Sequence, residues 1–198
     1  MSHMDRDVEL ALVSRLRAGD GAALDAVHAA FNVRLFTFLF RLSRRRDVAE
    51  DLLEETWLRL VSHARRLRPD TRLAPWLFTV ARNLHASYRR SRLLEDTHTT
   101  SLLALWSFET RCASPFEATA ANEFERRIEA ALAQLPPISR EVLLLVGVEG
   151  FSPAEAAGIC GIAPEALRQR LSRARAQLVQ RLQASTQPAN LTAGEVLI

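Results

Sequence analysis

Two groups of side chains between Asp47 and Arg92 have types and spacings suited to charge pairing and base stacking rather than to bond-making. Asp47, Glu50, Asp51 and Glu54 recur at steps of three and four, so on a helix they share one face. Like charges gathered there repel one another, and the face is either simply solvated or meant for a basic partner. Leu53, Trp57, Leu60 and Val61 fall on another face and reach towards a core. The second group follows Pro75, a residue suited to a helix start because its missing N–H would have no partner there. Phe78, Arg82, His85, Arg89 and Arg92 lie on one face, flanked by Trp76, Asn83 and Arg90, while Leu77, Val80, Ala81, Leu84 and Tyr88 trace an apolar stripe. Guanidinium groups neutralise phosphate and exposed rings stack on unpaired bases, which is what single-stranded or partly opened nucleic acid needs. Trp76 and Tyr88 taken singly serve a core equally well.

The elements that must position these groups are all helical: no segment shows sustained alternation of the strand kind. A helix over about Asp7–Ala18 carries Val8, Leu12 and Leu16 and stops at Gly19. Asp20 caps a second with Leu24, Val27 and Phe31, and a third over about Val33–Leu42 holds Leu35, Phe36, Leu39 and Phe40. Arg44, Arg45 and Arg46 break the pattern before the acidic helix. Between the acidic and arginine-aromatic helices, residues 63–74 read as a loop with Arg65, Arg66, Arg68, Pro69, Asp70 and Arg72, either an ordinary solvated connection or one that holds an extruded base.

Composition changes over residues 93–121, which are acidic and rich in serine and threonine, as expected of a linker between two domains. Leu102, Leu103, Leu105, Trp106 and Phe108 are too apolar for a purely flexible tether; they either fold back or dock on a partner. A second domain, residues 122–183, opens with a stripe of Phe124, Ile128, Ala131, Leu132 and Leu135 ended by Pro136 and Pro137. Ser139 is the expected cap of the next helix, which buries Val142 to Val146. Ser152-Pro153-Ala154-Glu155 then has capping-box spacing, Gly161 supplies a tight turn, and Pro164 starts a long helix with Leu167, Leu171, Ala174, Leu178 and Leu182 inward. This is the layout of a helix-turn-helix. Arg168, Gln169, Ser172 and Arg173 face outward with Arg170 and Arg175 at the margins; near the helix start arginine suits guanine and glutamine suits adenine, and arginines further along suit phosphate. Residues 184–198 form a tail.

The 198 residues carry a net charge of +3, and every one of the 26 basic residues is arginine. Each cation is therefore a planar fork matched to phosphate and guanine edges. Cys112 and Cys160 lack CxxC spacing and read as reduced bystanders; no histidine pair has metal-ligand spacing, and neither a Gly-rich phosphate loop nor a nucleophile elbow is found. No catalytic residue, metal or cofactor is expected. Without a basic-then-apolar leader or an apolar run of membrane-spanning length, the expectation is a soluble cytoplasmic protein with no membrane insertion.

The run Asp47-Val48-Ala49-Glu50-Asp51-Leu52-Leu53-Glu54-Glu55-Thr56-Trp57, followed by Pro75-Trp76-Leu77-Phe78-Thr79-Val80-Ala81-Arg82-Asn83, resembles region 2 of bacterial RNA polymerase sigma factors. Leu135-Pro136, Arg140-Glu141-Val142-Leu143-Leu144-Leu145, Glu155-Ala156-Ala157 and Ser172-Arg173-Ala174-Arg175 resemble region 4. With no domain between them, the pattern is similar to the extracytoplasmic-function (ECF) branch of the sigma-70 family. The resemblance implies an all-α chain, with a region 2-like bundle over 5–92 and a region 4-like helix-turn-helix domain over 122–183, joined by the linker. It implies that Asp47, Glu50, Asp51, Leu52, Glu54, Glu55 and Trp57 meet a coiled coil of core RNA polymerase. Arg72, Trp76, Arg82, Asn83, Tyr88, Arg89 and Arg90 would melt and read the minus-ten element. Arg168, Gln169, Ser172, Arg173 and Arg175 would meet the minus-thirty-five element, and their domain the polymerase flap. The linker would pass near the active site and RNA exit path, and an anti-sigma factor is an implied partner. Three positions depart from the family pattern: Glu54 stands where glutamine is common, Ala163 where a polar cap precedes the recognition helix, and Ala166 where a small hydroxyl residue is usual. Two other functions use parts of the same sequence: a stand-alone helix-turn-helix regulator, and a sigma mimic that sequesters an anti-sigma factor.

Overall fold

A computed structural model describes residues 5–98 and 123–184, and every regular element among them is helical. Helix α1 (Arg6–Arg17) is capped by the Asp5 carboxylate, which accepts from the Asp7 N–H. It buries Leu12, Val13 and Leu16, whereas Val8, expected inside, is 52% exposed. Glu9 takes the inward place one residue on. Its carboxylate accepts the buried Leu73 N–H at 2.7 Å and Arg6 at 2.6 Å, so it caps a helix 64 residues away.

The two helices expected after Asp20 are one. Helix α2 (Gly21–Ser43) runs without a break because Asn32, between the two expected segments, does not compete for backbone hydrogen bonds. Its Oδ1 accepts the Trp57 indole N–H at 3.0 Å instead. Contrary to expectation, α2 is long and apolar enough by length and composition to cross a membrane. Its apolar residues are accounted for by packing: Val27, Phe31, Leu35, Phe38, Leu39 and Leu42 are the centre of the bundle.

Helix α3 (Arg46–His63) crosses α2 and buries Val48, Ala49, Thr56 and Leu60, while Val61, expected to reach the core, is 54% exposed. A 3-10 turn over Ala64–Arg66 leads to α4 (Leu73–His98), which starts two residues before Pro75 and continues past the expected domain boundary at residue 92. The apolar linker residues, Cys112 and the tail lie outside the described residues.

In the second domain α5 (Glu123–Ala133) buries Ala131 and Leu132 but leaves Phe124 60% exposed. Helix α6 (Pro137–Leu143) is preceded by Pro136 with no side-chain cap; Ser139 donates instead to Gln177 at 2.7 Å, tying α6 to the last helix. A π-turn over Leu144–Val148 follows. Helix α7 (Pro153–Cys160) has the expected capping box: Ser152 Oγ accepts the Glu155 N–H and the Glu155 carboxylate accepts the Ser152 N–H. Gly161, at φ +64°, makes the turn into α8 (Pro164–Ala184), where Leu167, Leu171 and Ala174 are buried. Ser152→Ala is expected to cost about 1 kcal/mol, read as a lower urea midpoint with an unchanged slope. An unaltered midpoint would mean that Pro153 alone starts α7.

The domains pack against each other, α4 on α7 and α2 on α6. Phe78 sits edge-on between Phe38 and Phe151, each ring centroid 5.1 Å away. Arg140 carries the joint. Buried on α6, its guanidinium donates to the carbonyls of Leu132, Ala133 and Leu135 at the end of α5, and to those of Arg41 and Leu42 in the last turn of α2. A planar cation thus satisfies carbonyls at two helix C-termini at once.

Candidate nucleic-acid and protein interfaces

The acidic face of α3 is exposed, but its own arginines partly balance it. Arg45 pairs with Asp47, Arg46 with Glu50 at 2.8 Å and Arg59 with Glu55 at 2.7 Å. The Arg45 guanidinium, opposed by slight desolvation, holds the Asp47 carboxyl below its ordinary value. Asp51 and Glu54 are exposed, and Leu52 is half-buried. Beside them, α2 and α3 enclose a groove of ≈ 370 Å³ lined by His28, Asn32, Glu50, Leu53, Glu54, Trp57, Leu58 and Val61. Trp57 is fixed there by its bond to Asn32 and by the His28 ring, 4.8 Å between centroids. The groove therefore has an apolar floor and an acidic rim. Val61, expected to reach the core, and Leu58 supply part of its floor.

The 3-10 turn and the loop before α4 form a smaller cleft, ≈ 170 Å³, lined by His63, Arg66, Leu67, Arg68, Thr71 and Trp76. Arg68 and Arg66 are exposed and Trp76 is half-buried, packed partly against the core. Arg72 just before α4 and Asn83 and Arg90 along it are exposed, and Arg82, Tyr88 and Arg89 are half-buried. Two members of the expected nucleic-acid face are not available. Phe78 is fully buried, held between Phe38 of α2 and Phe151 of the second domain, and His85 is 5% exposed. Burial first, then the neighbouring charges of Arg89, Arg140 and Arg82, push the His85 pKa down to about 4, so the imidazole is neutral near pH 7.

The same docking engages two arginines of this face. Arg82 Nε is 2.6 Å from a Glu141 oxygen, and Arg72 is paired with Glu155. Glu141 also accepts from the Cys160 thiol at 3.4 Å; burial and then this carboxylate push the thiol up to about 12, which leaves it protonated and unreactive near neutrality.

On α8 the expected face is formed. Glu165, Arg168, Gln169, Ser172, Arg173 and Arg175 are exposed and Arg170 is half-buried, opposite the buried Leu167, Leu171 and Ala174. Ala163 offers no side-chain cap, but Pro164 at the helix start and Glu165 in its first turn suit that end. Sequence reasoning misses Arg140, whose letter among apolar neighbours reads only as part of a motif, and Glu9, whose capping partner is remote. Among the described residues no group of three His, Cys, Asp or Glu side chains is placed to hold a metal ion.

These two modules match the model of Sigma-70 region 2 over residues 27–93 and that of Sigma-70, region 4 over residues 125–178. The ECF RNA polymerase sigma factor EcfG of Rhodopseudomonas palustris is 42% identical over 146 residues, which are 73% of this chain and 76% of that protein. The RNA polymerase sigma factor CarQ of Myxococcus xanthus is 33% identical over 164 residues, 81% of this chain and 90% of CarQ. Among solved structures, the sigma factor RpoE in complex with the anti-sigma factor NepR, from Bartonella quintana, superposes with a TM-score of 0.64 at 28% identity, covering 89% of this chain and 95% of that one. The fold and both matched regions are those of sigma-70 transcription-initiation factors, which are not enzymes. The chain belongs to the ECF subfamily of these RNA polymerase sigma factors.

Proposed function

We propose that the chain joins core RNA polymerase through α3, reads and opens promoter DNA with its two domains, and is held in check by an anti-sigma factor. The observation that carries this reading is the α2–α3 groove, an apolar floor that includes Trp57 with Glu50 and Glu54 along its rim, and with Asp51 exposed on the same acidic helix. It suits an amphipathic, basic helical partner, and a regulator working through its helix-turn-helix alone would have no use for it. Asp47, Leu52 and Glu55 complete the polymerase-facing set. Arg72, Arg82, Arg89 and Arg90 would hold phosphate, with Asn83, Trp76 and Tyr88 against unpaired bases. The cleft at Arg66, Arg68 and Trp76 would receive an extruded base, whose capture offsets unstacking of a few kcal/mol. Arg168 and Gln169 near the start of α8 would read base edges, and Ser172, Arg173 and Arg175 the backbone. A protein acting on polymerase would work in the cytoplasm. The solved RpoE–NepR complex supports an anti-sigma partner.

Run-off transcription from a promoter library with core polymerase tests this. Initiation at a defined promoter set is expected, falling at least about tenfold for Arg168→Ala with Gln169→Ala and lost for Asp51→Arg with Glu54→Arg through failed core binding. Tight duplex binding without core association would sink the proposal in favour of a lone regulator. Core or anti-sigma binding without any initiation would favour the mimic.

A further inference from the structure

Among the described residues, four ion pairs between the two domains have the same polarity. Arg34, Arg41, Arg72 and Arg82 come from the first domain, and Glu149, Glu129, Glu155 and Glu141 from the second. Arg34 and Arg41 lie on α2, but Arg72 and Arg82 belong to the surface proposed to hold the opened DNA strand, so any role for their pairing in DNA binding rests on that proposal. A carboxylate on a guanidinium has the charge and the acceptor geometry of a phosphate oxygen. Arg82 and Glu141 are also largely withdrawn from solvent, with side chains 25% and 13% exposed, so DNA cannot share this arginine without displacing the carboxylate. The covering is one-sided. Glu141 and Glu155 sit on α6 and α7, and the outward face of α8 stays open.

We propose that Glu141 and Glu155 act as a built-in substitute for DNA phosphate, masking Arg72 and Arg82 in the free protein while leaving the duplex-reading helix exposed. Free protein then meets duplex through α8 first, and Arg72 and Arg82 become available to the strand only when these carboxylates are displaced. Both acidic residues are suited to such a role because each has another anchor. Glu155 is held by the Ser152 capping box and Glu141 by the Cys160 thiol, so they are presented in fixed positions.

The test uses the full chain and a fluorescein-labelled fifteen-nucleotide oligothymidylate, a sequence-tolerant single-stranded probe, read by anisotropy at fixed low salt. Glu141→Gln with Glu155→Gln keeps both side-chain volumes and the capping-box geometry. It is expected to tighten binding on the order of tenfold, and adding Arg72→Ala with Arg82→Ala should abolish the gain. Affinity unchanged by the glutamine pair, yet reduced by the arginine changes in the otherwise native chain, would overturn the masking and keep the DNA assignment. A gain that survives loss of both arginines would overturn both. Helical circular dichroism and an unfolding transition like that of the native chain qualify each variant.

Discussion

Arg140→Met is expected to destabilise the folded chain by about 3–5 kcal/mol and to split a single unfolding transition into two. The guanidinium donates five bonds to carbonyls contributed by α2 and by the end of α5, and the methionine thioether supplies none. The carbonyls of Leu42, Leu132 and Leu135 lie in buried surroundings, where losing a donor costs more than the bond itself contributes. Burial, followed by repulsion from Arg44 and Arg89, lowers the Arg140 pKa to about 10, so the group still enters the fold charged at neutral pH. Arg140→Lys should recover only part of the loss, because an ammonium is a point charge with three donors and cannot span both helix ends in one plane. Differential scanning calorimetry reads both predictions. If the methionine variant melted as one transition at the native temperature, Arg140 would not be the joint between the domains.

Acidification from pH 7 towards pH 4 is expected to remove about 3 kcal/mol of stability through His85 alone. In the unfolded chain a histidine titrates near 6.5; in the fold, burial and then Arg89, Arg140 and Arg82 bring His85 down to about 4. The depressed folded value means that the native state prefers the neutral ring. Its contribution is complete above about pH 6.5 and is lost as the pH falls towards and through 4. Glu149, whose carboxyl burial raises against the pull of Arg34, acts with the opposite sign, since its protonation favours the folded form. The difference between native and His85→Gln melting temperatures across pH 7.5 to 4 isolates the imidazole. The gap should narrow on acidification, and two parallel curves would show that His85 is not the titrating group.

Both effects come from a surface that is only partly legible in the sequence. The capping box at Ser152, the turn at Gly161 and the inward row of α8 are local matters of spacing, and the structure has each where the letters put it. The break expected between Phe31 and Val33 is absent for a non-local reason: the partner that occupies Asn32 is Trp57, 25 residues away. Val8, Val61 and Phe124 have helical spacing suited to burial, yet spacing tells only which residues share a side, not how wide the covered stripe is. Phe78 and His85 fall on the expected nucleic-acid face because α4 has a polar, arginine-bearing side. That side is covered by a domain whose docking depends on Arg140, Glu141 and Phe151, residues at least 55 positions further along. The α8 face can be read from sequence because nothing else in the described chain packs on it.

The arginine forks that run from Arg72 along α4 and from Arg168 along α8 have one more consequence. With no lysine anywhere in the chain, no side-chain amine is available for acylation or for tagging through an isopeptide bond, and a guanidinium does not lose its proton at any cellular pH. The hold on DNA proposed for these guanidiniums therefore has no lysine-acetylation dial, and amine-directed cross-linkers would report almost nothing about such contacts, whereas arginine-directed dicarbonyl reagents would map them.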